Sequence, residues 1–506
     1  MIFSRLAIEF QSWFTLLAVS KEREIASDYK KQDLISQLSD DILISIIARL
    51  PTKEAVRTSI LSNRWRSLYK FVPDVDFLCE HLVGRSVGRP HEVNTVINGV
   101  DRFLRLRSGF KIRSLELSCC LMKSNTFEQF IHSLGRLGIQ RLVIYHSCCL
   151  DSIDLSFSCH FISQMPSLRF LELEGCSLRP MPTSVKLTQS NNNSSSLQLL
   201  RLNGIDVHAG ALECILANCL SLHSLSIYGC NLPSNLSLCG PNLQLKSLWM
   251  ACCEGVEEIE LYASNLATFE INNPEVVNFI FDHVPKLQNM FVSFLNRNIM
   301  SSVCTKLVRD LPHLKSLIFH TKGDIYQVSS RTMGFNTFGN LRQLSLHLYL
   351  TKRVNLLSLA PFLERCPLLQ EFHLDTEFLE YVDGGEVTRP VAVIHPELKK
   401  VEFTGHCGTK IEIYFALYIL KSAICLEQMQ IRRCSKWYHG CGRWMGRGKP
   451  KWSNETLEMI HGQLRGQAIS KKARLTFQHS PIYEYNVPTI LGNSVFDHAD
   501  NVEDTQ

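Results

Sequence analysis

Thirteen times along this chain an aliphatic residue is followed, three and five places later, by two more apolar ones. The first positions are Ile112, Ile139, Leu168, Leu197, Leu222, Leu245, Leu266, Leu287, Leu314, Leu341, Leu369, Leu398 and Leu426. Successive first positions lie 21 to 29 residues apart, by subtraction along the chain. In Leu168-Arg169-Phe170-Leu171-Glu172-Leu173 an extended backbone turns Leu171 and Leu173 to one face and Phe170 and Glu172 to the other. One such unit cannot cover its own apolar face, so units of this period stack, and the chain is constrained to a solenoid of short parallel strands.

Two further registers ride on the same period. Cys120, Cys176, Cys230, Cys253 and Cys434 each follow a first position by eight residues, and Pro166, Pro285, Pro312, Pro367 and Pro396 each precede one by two. Pattern and period are those of leucine-rich repeats, which take cysteine or asparagine in that later register. The intervening segments, such as Ala211 to Cys219, are expected to form an outer row of helices or loops.

Before the repeats, Asp33 to about Phe77 reads as three short helices. Ser39, Asp40 and Asp41 make a helix start, Ile42, Leu43, Ile46, Ile47 and Leu50 share a face, and Pro51 stops it. Thr52 and Ser62 are the expected caps of the second and third helices, the third carrying Trp65 and Leu68. A unit this small leaves apolar surface unmet.

Over Leu38, Asp40, Ile42, Leu43, Ile46, Leu50, Pro51, Ala55, Val56, Ser59, Leu61, Ser62, Arg64, Trp65, Arg66 and Leu68 this stretch resembles an F-box, closely that of plant F-box proteins with leucine-rich repeats. Ser39 stands where the family usually has proline, and Tyr69 where plant members often have tryptophan. The resemblance implies docking to a Skp-type adaptor, and through it to a cullin, with that role carried onto Leu38, Leu43, Ile46, Leu50, Pro51, Val56 and Leu61. From His395 a strand, a glycine turn, an amphipathic helix and a second strand resemble the FBD module of many such proteins, expected to cap the solenoid. The expected fold is therefore α/β, with an F-box over 33–80, repeats over 95–397 and an FBD-like region over 398–480.

Charge and thiols narrow the function. A net charge of +5 on 506 residues is small, which argues against a chain that binds nucleic acid over its whole surface. Nineteen cysteines, several in adjacent pairs, do not form a disulfide framework in a chain this long. Reduced, buried thiols fit better and place the protein in cytosol or nucleus. Residues 1–32 are read as a short extension, since Glu9, Gln11 and Ser12 interrupt the apolar run a signal peptide would need. No run approaches a membrane span of about twenty apolar residues. Ser190 to Ser196 is expected to be a polar loop and 493–506 a disordered tail.

Residues 432–452 combine Arg432, Arg433, Lys436, Arg443, Arg447, Lys449 and Lys451 with Trp437, Tyr438, Trp444 and Trp452. A solvated loop is the favoured reading, with a phosphate or single-stranded nucleic-acid site as the alternative. No nucleotide loop, nucleophile elbow or metalloprotease helix is present, and the repeat register accounts for five of the cysteines without a metal. His406-Cys407 and His439 with Cys441 lack a third orienting group in sequence, so no catalytic residue, cofactor or metal is assigned.

The expected function is target recruitment to a ubiquitin ligase. Target-reading residues fall between the second and third apolar positions of each unit: Glu172, Arg201, Ser226, Trp249, Glu270, Phe291, Ile318, Ser345, His373, Glu402 and Gln430. Trp249, Phe291 and Ile318 stand out, because large apolar groups there have no duty to the solenoid core. A neighbouring loop covering them is the competing explanation. A ligand-gated receptor of related architecture is the second functional reading.

Overall fold

A computed structural model describes residues 35, 37–78, 99–100, 102–107, 110–118, 131–132, 134–145, 156–181, 195–240, 242–294, 300–322, 337–350, 355–378, 393–447 and 451–478. The expectations for 1–32, for Ser190 to Ser194, for Cys120 and for 493–506 lie outside them. The chain divides into two compact units, 1–245 with 253–256, and 246–252 with 257–506.

In the first unit the helical knob comprises Asp40–Ile47, Thr52–Arg57 and Trp65–Leu68, the last two joined through a 3-10 turn at Thr58–Ile60. Leu43, Ile47, Ala55, Val56, Trp65 and Leu68 form its core. The caps differ from expectation. Ser39 takes the cap position of the first helix with extended backbone, but its hydroxyl makes no capping bond. Thr52 is the first residue of its helix, and Asp76 serves it from the following strand, accepting from the Thr52 N–H (2.7 Å) and hydroxyl (2.8 Å). The cap position of the third helix is Arg64 and not Ser62, although the Ser62 hydroxyl accepts from the Trp65 N–H at 3.4 Å.

The sheet of this unit runs in chain order through Asp74–Phe77, Ser114–Ser118, Arg141–Tyr145, Phe170–Glu174, Leu199–Asn203 and Ser224–Tyr228, all parallel. The second unit repeats the scheme with Ser247–Ala251, Thr268–Asn273, Asn289–Phe294, Ser316–Lys322, Gln343–Leu350, Glu371–Phe378, Lys400–Thr404, Gln428–Arg432 and Arg474–Gln478. Each of the thirteen repeat strands starts two residues after the first position read from the sequence. All thirteen first positions are buried. The four described cysteines of the repeat register, Cys176, Cys230, Cys253 and Cys434, are buried free thiols, and burial pushes Cys176 and Cys230 up to about 12.

Behind the strands the helical row is only partly realised. Ala211–Asn218, Met300–Asp310, Ala360–Glu364 and Lys410–Ser422 are helical. Elsewhere short second strands take that place: Ser156–Ser158, Ser177–Arg179 and Asp206–Val207 pair in the first unit, and Glu258–Tyr262 with Asn278–His283 in the second. The repeats that begin at Leu245 and Leu266, 21 residues each, hold a second strand and no helix. In the last repeats Lys410–Ser422 begins at a complete capping box between Thr409 and Glu412.

No described helix is long and apolar enough to cross a membrane. The segment expected as a solvated loop is instead an antiparallel hairpin, Ser435–Gly440 with Arg443–Arg447. Its two-residue corner, Cys441 and Gly442, has positive φ at both places (51° and 78°), the geometry that matches the twist of paired strands.

Candidate protein-binding surfaces

Two surfaces gather the residues singled out by the sequence. On the knob, the seven expected adaptor contacts separate by exposure. Ile46 (44%), Leu50 (39%) and Leu61 (64%) are exposed, and Ile42 (48%) and Ile60 (65%) join them. Leu38 and Pro51 are half-buried. Leu43 and Val56 are corrected: both lie in the knob's own core, where they hold the helices that present the others and offer a partner no surface. Arg64 ties the base of this surface by donating to Asp40 Oδ1 (2.8 Å) and to the Leu38 carbonyl.

The second surface is the open face of the sheet in the second unit. In-register parallel pairing lines up Trp249, Glu270, Phe291, Ile318, Ser345, His373, Glu402 and Gln430 as one row of side chains. Two residues further along each strand a second row carries Ser293, His320, His347, Asp375 and Thr404. The hairpin folds onto both rows. Trp249 and Phe291 are buried and Ile318 half-buried, so the first two are corrected from target contacts to seats for the hairpin.

Tyr438 meets Phe291 edge to face, ring centroids 5.0 Å apart, and its hydroxyl donates to Glu270 Oε1 at 2.6 Å. The Cys441 N–H donates to the other oxygen of Glu270 at 2.6 Å, which offsets the strain of a non-glycine residue at positive φ. Gly440 lies against Trp249, where a Cβ would come within 2.5 Å of the indole nitrogen, so only glycine permits that approach. Burial raises the Glu270 carboxyl above its usual range, and the two bonds from the hairpin oppose that rise.

Trp444 packs against His373 (5.4 Å between centroids) and His347 (5.9 Å), and Lys436 lies over its ring at 5.1 Å. The Lys436 N–H donates to Asp375 Oδ1 at 3.0 Å. Lys436 Nζ and Arg432 Nε reach Glu402 at 3.6 and 3.1 Å, and Arg447 reaches Glu377 at 3.3 Å. Arg432, Lys436 and Arg447 thus find carboxylates within the same unit, and Tyr438 and Trp444 are engaged by the sheet. Beneath them the Thr404 hydroxyl donates to Asp375, which leaves its oxygen to accept from His373 Nε2 (3.0 Å), and His373 Nδ1 pairs with the Ser345 hydroxyl (2.7 Å). Both ring nitrogens of His373 thus have a partner. Desolvation lowers His320 and His373 to about 3 and His347 well below the ordinary histidine value.

Beside the hairpin an open groove of about 470 Å³ remains on the sheet, with Ile318, Ser345 and His373 on its floor and Lys436 and Trp444 along one wall. The thiols near histidine serve structure. His406 is buried and accepts from the Gly408 N–H at 3.1 Å, while Cys407 Sγ accepts from Arg433 Nη1 at 3.1 Å. Among the described residues no group of three or more potential ligands could hold a metal.

Sequence reasoning missed Tyr438, His347, Asp375 and Trp444 as members of one site. The available signal was Gly440-Cys441-Gly442 between two aromatic runs, a short-range hairpin cue. The landing place of that hairpin had no local signal.

Comparison with known proteins follows this geometry. Residues 103–465 match the leucine-rich-repeat domain described as At1g61320/AtMIF1, and residues 35–68 match the F-box domain. Among relatives in Arabidopsis thaliana, the putative F-box/LRR-repeat protein At3g58880 is 25% identical over 79% of this chain and 91% of its own. The FBD-associated F-box protein At4g10400 is 26% identical over 79% of this chain and 92% of its own. The F-box/FBD/LRR-repeat protein At5g44980 is 24% identical over the same shares, 79% and 92%.

Proposed function

This chain belongs to the plant F-box/leucine-rich-repeat family, and from that premise we propose that it is the substrate-recognition subunit of a Skp–cullin–F-box ubiquitin ligase. The knob docks the Skp-type adaptor, the repeats hold a protein target, and the region over 398–480 closes the end of the solenoid as an FBD-like cap. The chain supplies no chemistry of its own. It raises the effective concentration of target lysines at the ubiquitin donor, which the cullin assembly brings. That assembly belongs to cytosol or nucleus, consistent with the free thiols.

The observation that carries this reading is the exposed cluster Ile42, Ile46, Leu50, Ile60 and Leu61 on a knob whose core is otherwise complete. Full burial of one such side chain is worth about 1.5–3 kcal/mol, so covering the exposed halves of five yields roughly 5 kcal/mol. Association costs about 4–15 kcal/mol, so contacts flanking the cluster must contribute as well. Capture by an immobilised recombinant Skp-type adaptor tests the proposal. Ile46→Asp and Leu61→Asp leave the core untouched and should each reduce capture at least about tenfold, with no change in thermal midpoint. Undiminished capture by both variants would refute adaptor docking through this surface.

A further inference from the structure

The groove beside the hairpin has a composition that selects its occupant. It spans the strands Ser316–Lys322 to Gln428–Arg432, five neighbours in register. At about 4.8 Å per strand spacing and 3.3 Å per extended residue, that width matches a peptide of roughly six residues lying across the strands. The charges in and under it are already matched. Lys400 Nζ meets Glu371 Oε1 at 3.2 Å, Glu402 stands between Arg432 and Lys436, and Asp375 holds the hairpin backbone. Glu371 and Glu402 thus engage the three bases, Asp375 is taken by the Lys436 N–H and the Thr404 hydroxyl, and a charged ligand would have to displace one of these partners to find its own.

Neutral hydrogen-bonding groups remain. Gln430 gives its carbonyl to Arg432 Nη2 at 2.8 Å, which leaves the amide NH2 for another acceptor. Gln343 gives its NH2 to Glu371 Oε2 at 3.3 Å, which leaves the carbonyl for another donor. Both groups suit peptide backbone. The apolar elements are few: Trp444 in the wall and Ile318, the one large aliphatic of the row left half-buried after Trp249 and Phe291 are covered.

We propose that this groove is the target-reading subsite and that it takes an extended, uncharged peptide segment of the target, seating one apolar side chain between Ile318 and Trp444. The proposal rests on the ligase reading for the word target, but not for the peptide chemistry. Specificity would then be built jointly by five repeat strands and the hairpin.

Fluorescence anisotropy on the full chain tests it, with labelled eight-residue peptide pools of stated composition. One pool contains Ser, Thr, Asn and Gln around a central Leu or Trp, a second lacks the central residue, and a third and fourth carry Glu or Lys in place of the polar residues. The first pool should bind at least about tenfold tighter than the others. Ile318→Glu should abolish that preference. Because Glu371 and Lys400 are substantially exposed, their neutralisation should leave the fold intact. Glu371→Gln leaves an unmatched cation and should move preference towards the Glu pool about fivefold, and Lys400→Gln should move it equally towards the Lys pool. Tighter binding by the wild type of a charged pool, or of an eight-residue oligothymidine, overturns the proposal, as does failure of every pool. Adaptor capture is read on the same preparations. Capture without peptide binding sinks the groove alone, whereas peptide binding without capture sinks the ligase reading and leaves the groove standing.

Discussion

Glu270 concentrates the energetics of the hairpin in one side chain. It is a buried carboxylate whose two oxygens are met from a segment 168 and 171 residues further along the chain, by the Tyr438 hydroxyl and the Cys441 N–H. The same hydroxyl accepts from the Gly442 N–H at 2.6 Å, so it closes the corner of the hairpin as well as anchoring it. Tyr438→Phe keeps the ring on Phe291 but leaves Glu270 Oε1 and the Gly442 amide unmet. Hydrogen bonds to charged groups contribute about 1.5–3 kcal/mol, so the variant should lose roughly 2 kcal/mol of stability. Amide exchange at Cys441 and Gly442 should quicken with it, and unchanged exchange at both amides would show that the hydroxyl is not the anchor. From sequence alone Glu270 was legible as an open-face residue, because the repeat register decides which way its side chain points. Its partner was not legible, since no local pattern links positions so far apart. Trp249 and Phe291 were misread as target contacts for the same reason.

At the level of elements, the hairpin sits on a row of histidines that only a dry interface tolerates. His320 and His347 have ring centroids 4.1 Å apart, His347 and His373 5.1 Å, all three buried. His320 and His373 are lowered to about 3 by desolvation, against about 6.5 in an open chain. Groups whose folded value is depressed in this sense stay neutral in both states above about pH 6.5 and cost nothing there; as pH falls below 6.5 the undocked state takes up protons that the docked state refuses. Hairpin protection is therefore complete above about pH 6.5 and declines as pH falls towards 3, by up to about tenfold per freed histidine at pH 5.5. Burial also raises the Glu270 carboxyl, so the histidine contribution is separated from it by comparing variants that lack one ring. Hydrogen exchange over residues 435–447, corrected for intrinsic rate, should show at least a tenfold loss of protection between pH 7.5 and 5.5. His320 Nε2 has no hydrogen-bond partner among the described residues, so His320→Phe should remove one histidine's share of this dependence, up to about tenfold at pH 5.5, while sparing stability at pH 7.5. A pH-independent hairpin would refute the latch. The repeat strands beneath were legible because burial on one face imprints a period on each unit. The hairpin is encoded by its corner and its aromatics, and its docking is encoded by neither.

At the scale of the molecule, the proposed recruitment works only if the exposed apolar cluster of the knob is held firmly on the repeats, and within the first unit the joint is built for that. Thr52 and Asp76 bind the second knob helix to the first strand of the sheet, and the Asp76 N–H returns a bond to Thr52 Oγ1 at 2.8 Å. Phe103 packs on Tyr69 and Phe77, centroids 6.0 and 5.3 Å away. Arg107, almost wholly buried, donates to the carbonyls of Lys70 (2.7 Å) and Val72, which close the last turn of the knob before the strand begins. Burial pulls its guanidinium down to about 10, yet it stays charged at neutral pH and satisfies one buried and one part-buried carbonyl. The joint residues come from three separated segments, at Thr52, at 69–77 and at 103–107, so the sequence showed a knob and a solenoid without the weld between them. Arg107→Met preserves length and apolar volume while leaving two carbonyls without donors, at roughly 1–3 kcal/mol each. The exposed cluster of Ile42, Ile46, Leu50, Ile60 and Leu61 contains none of these joint residues, so capture by the adaptor should persist if docking is as proposed. The link, however, should open: limited trypsin digestion should release a fragment beginning at Phe71, after Lys70, at a rate at least about tenfold above wild type. Ubiquitin transfer to a bound target should fall in the same variant, because a loose knob no longer holds the target lysines at a fixed distance from the donor. If trypsin left that link intact, the knob would be held by its apolar contacts alone and the rigid-arm account of recruitment would fail.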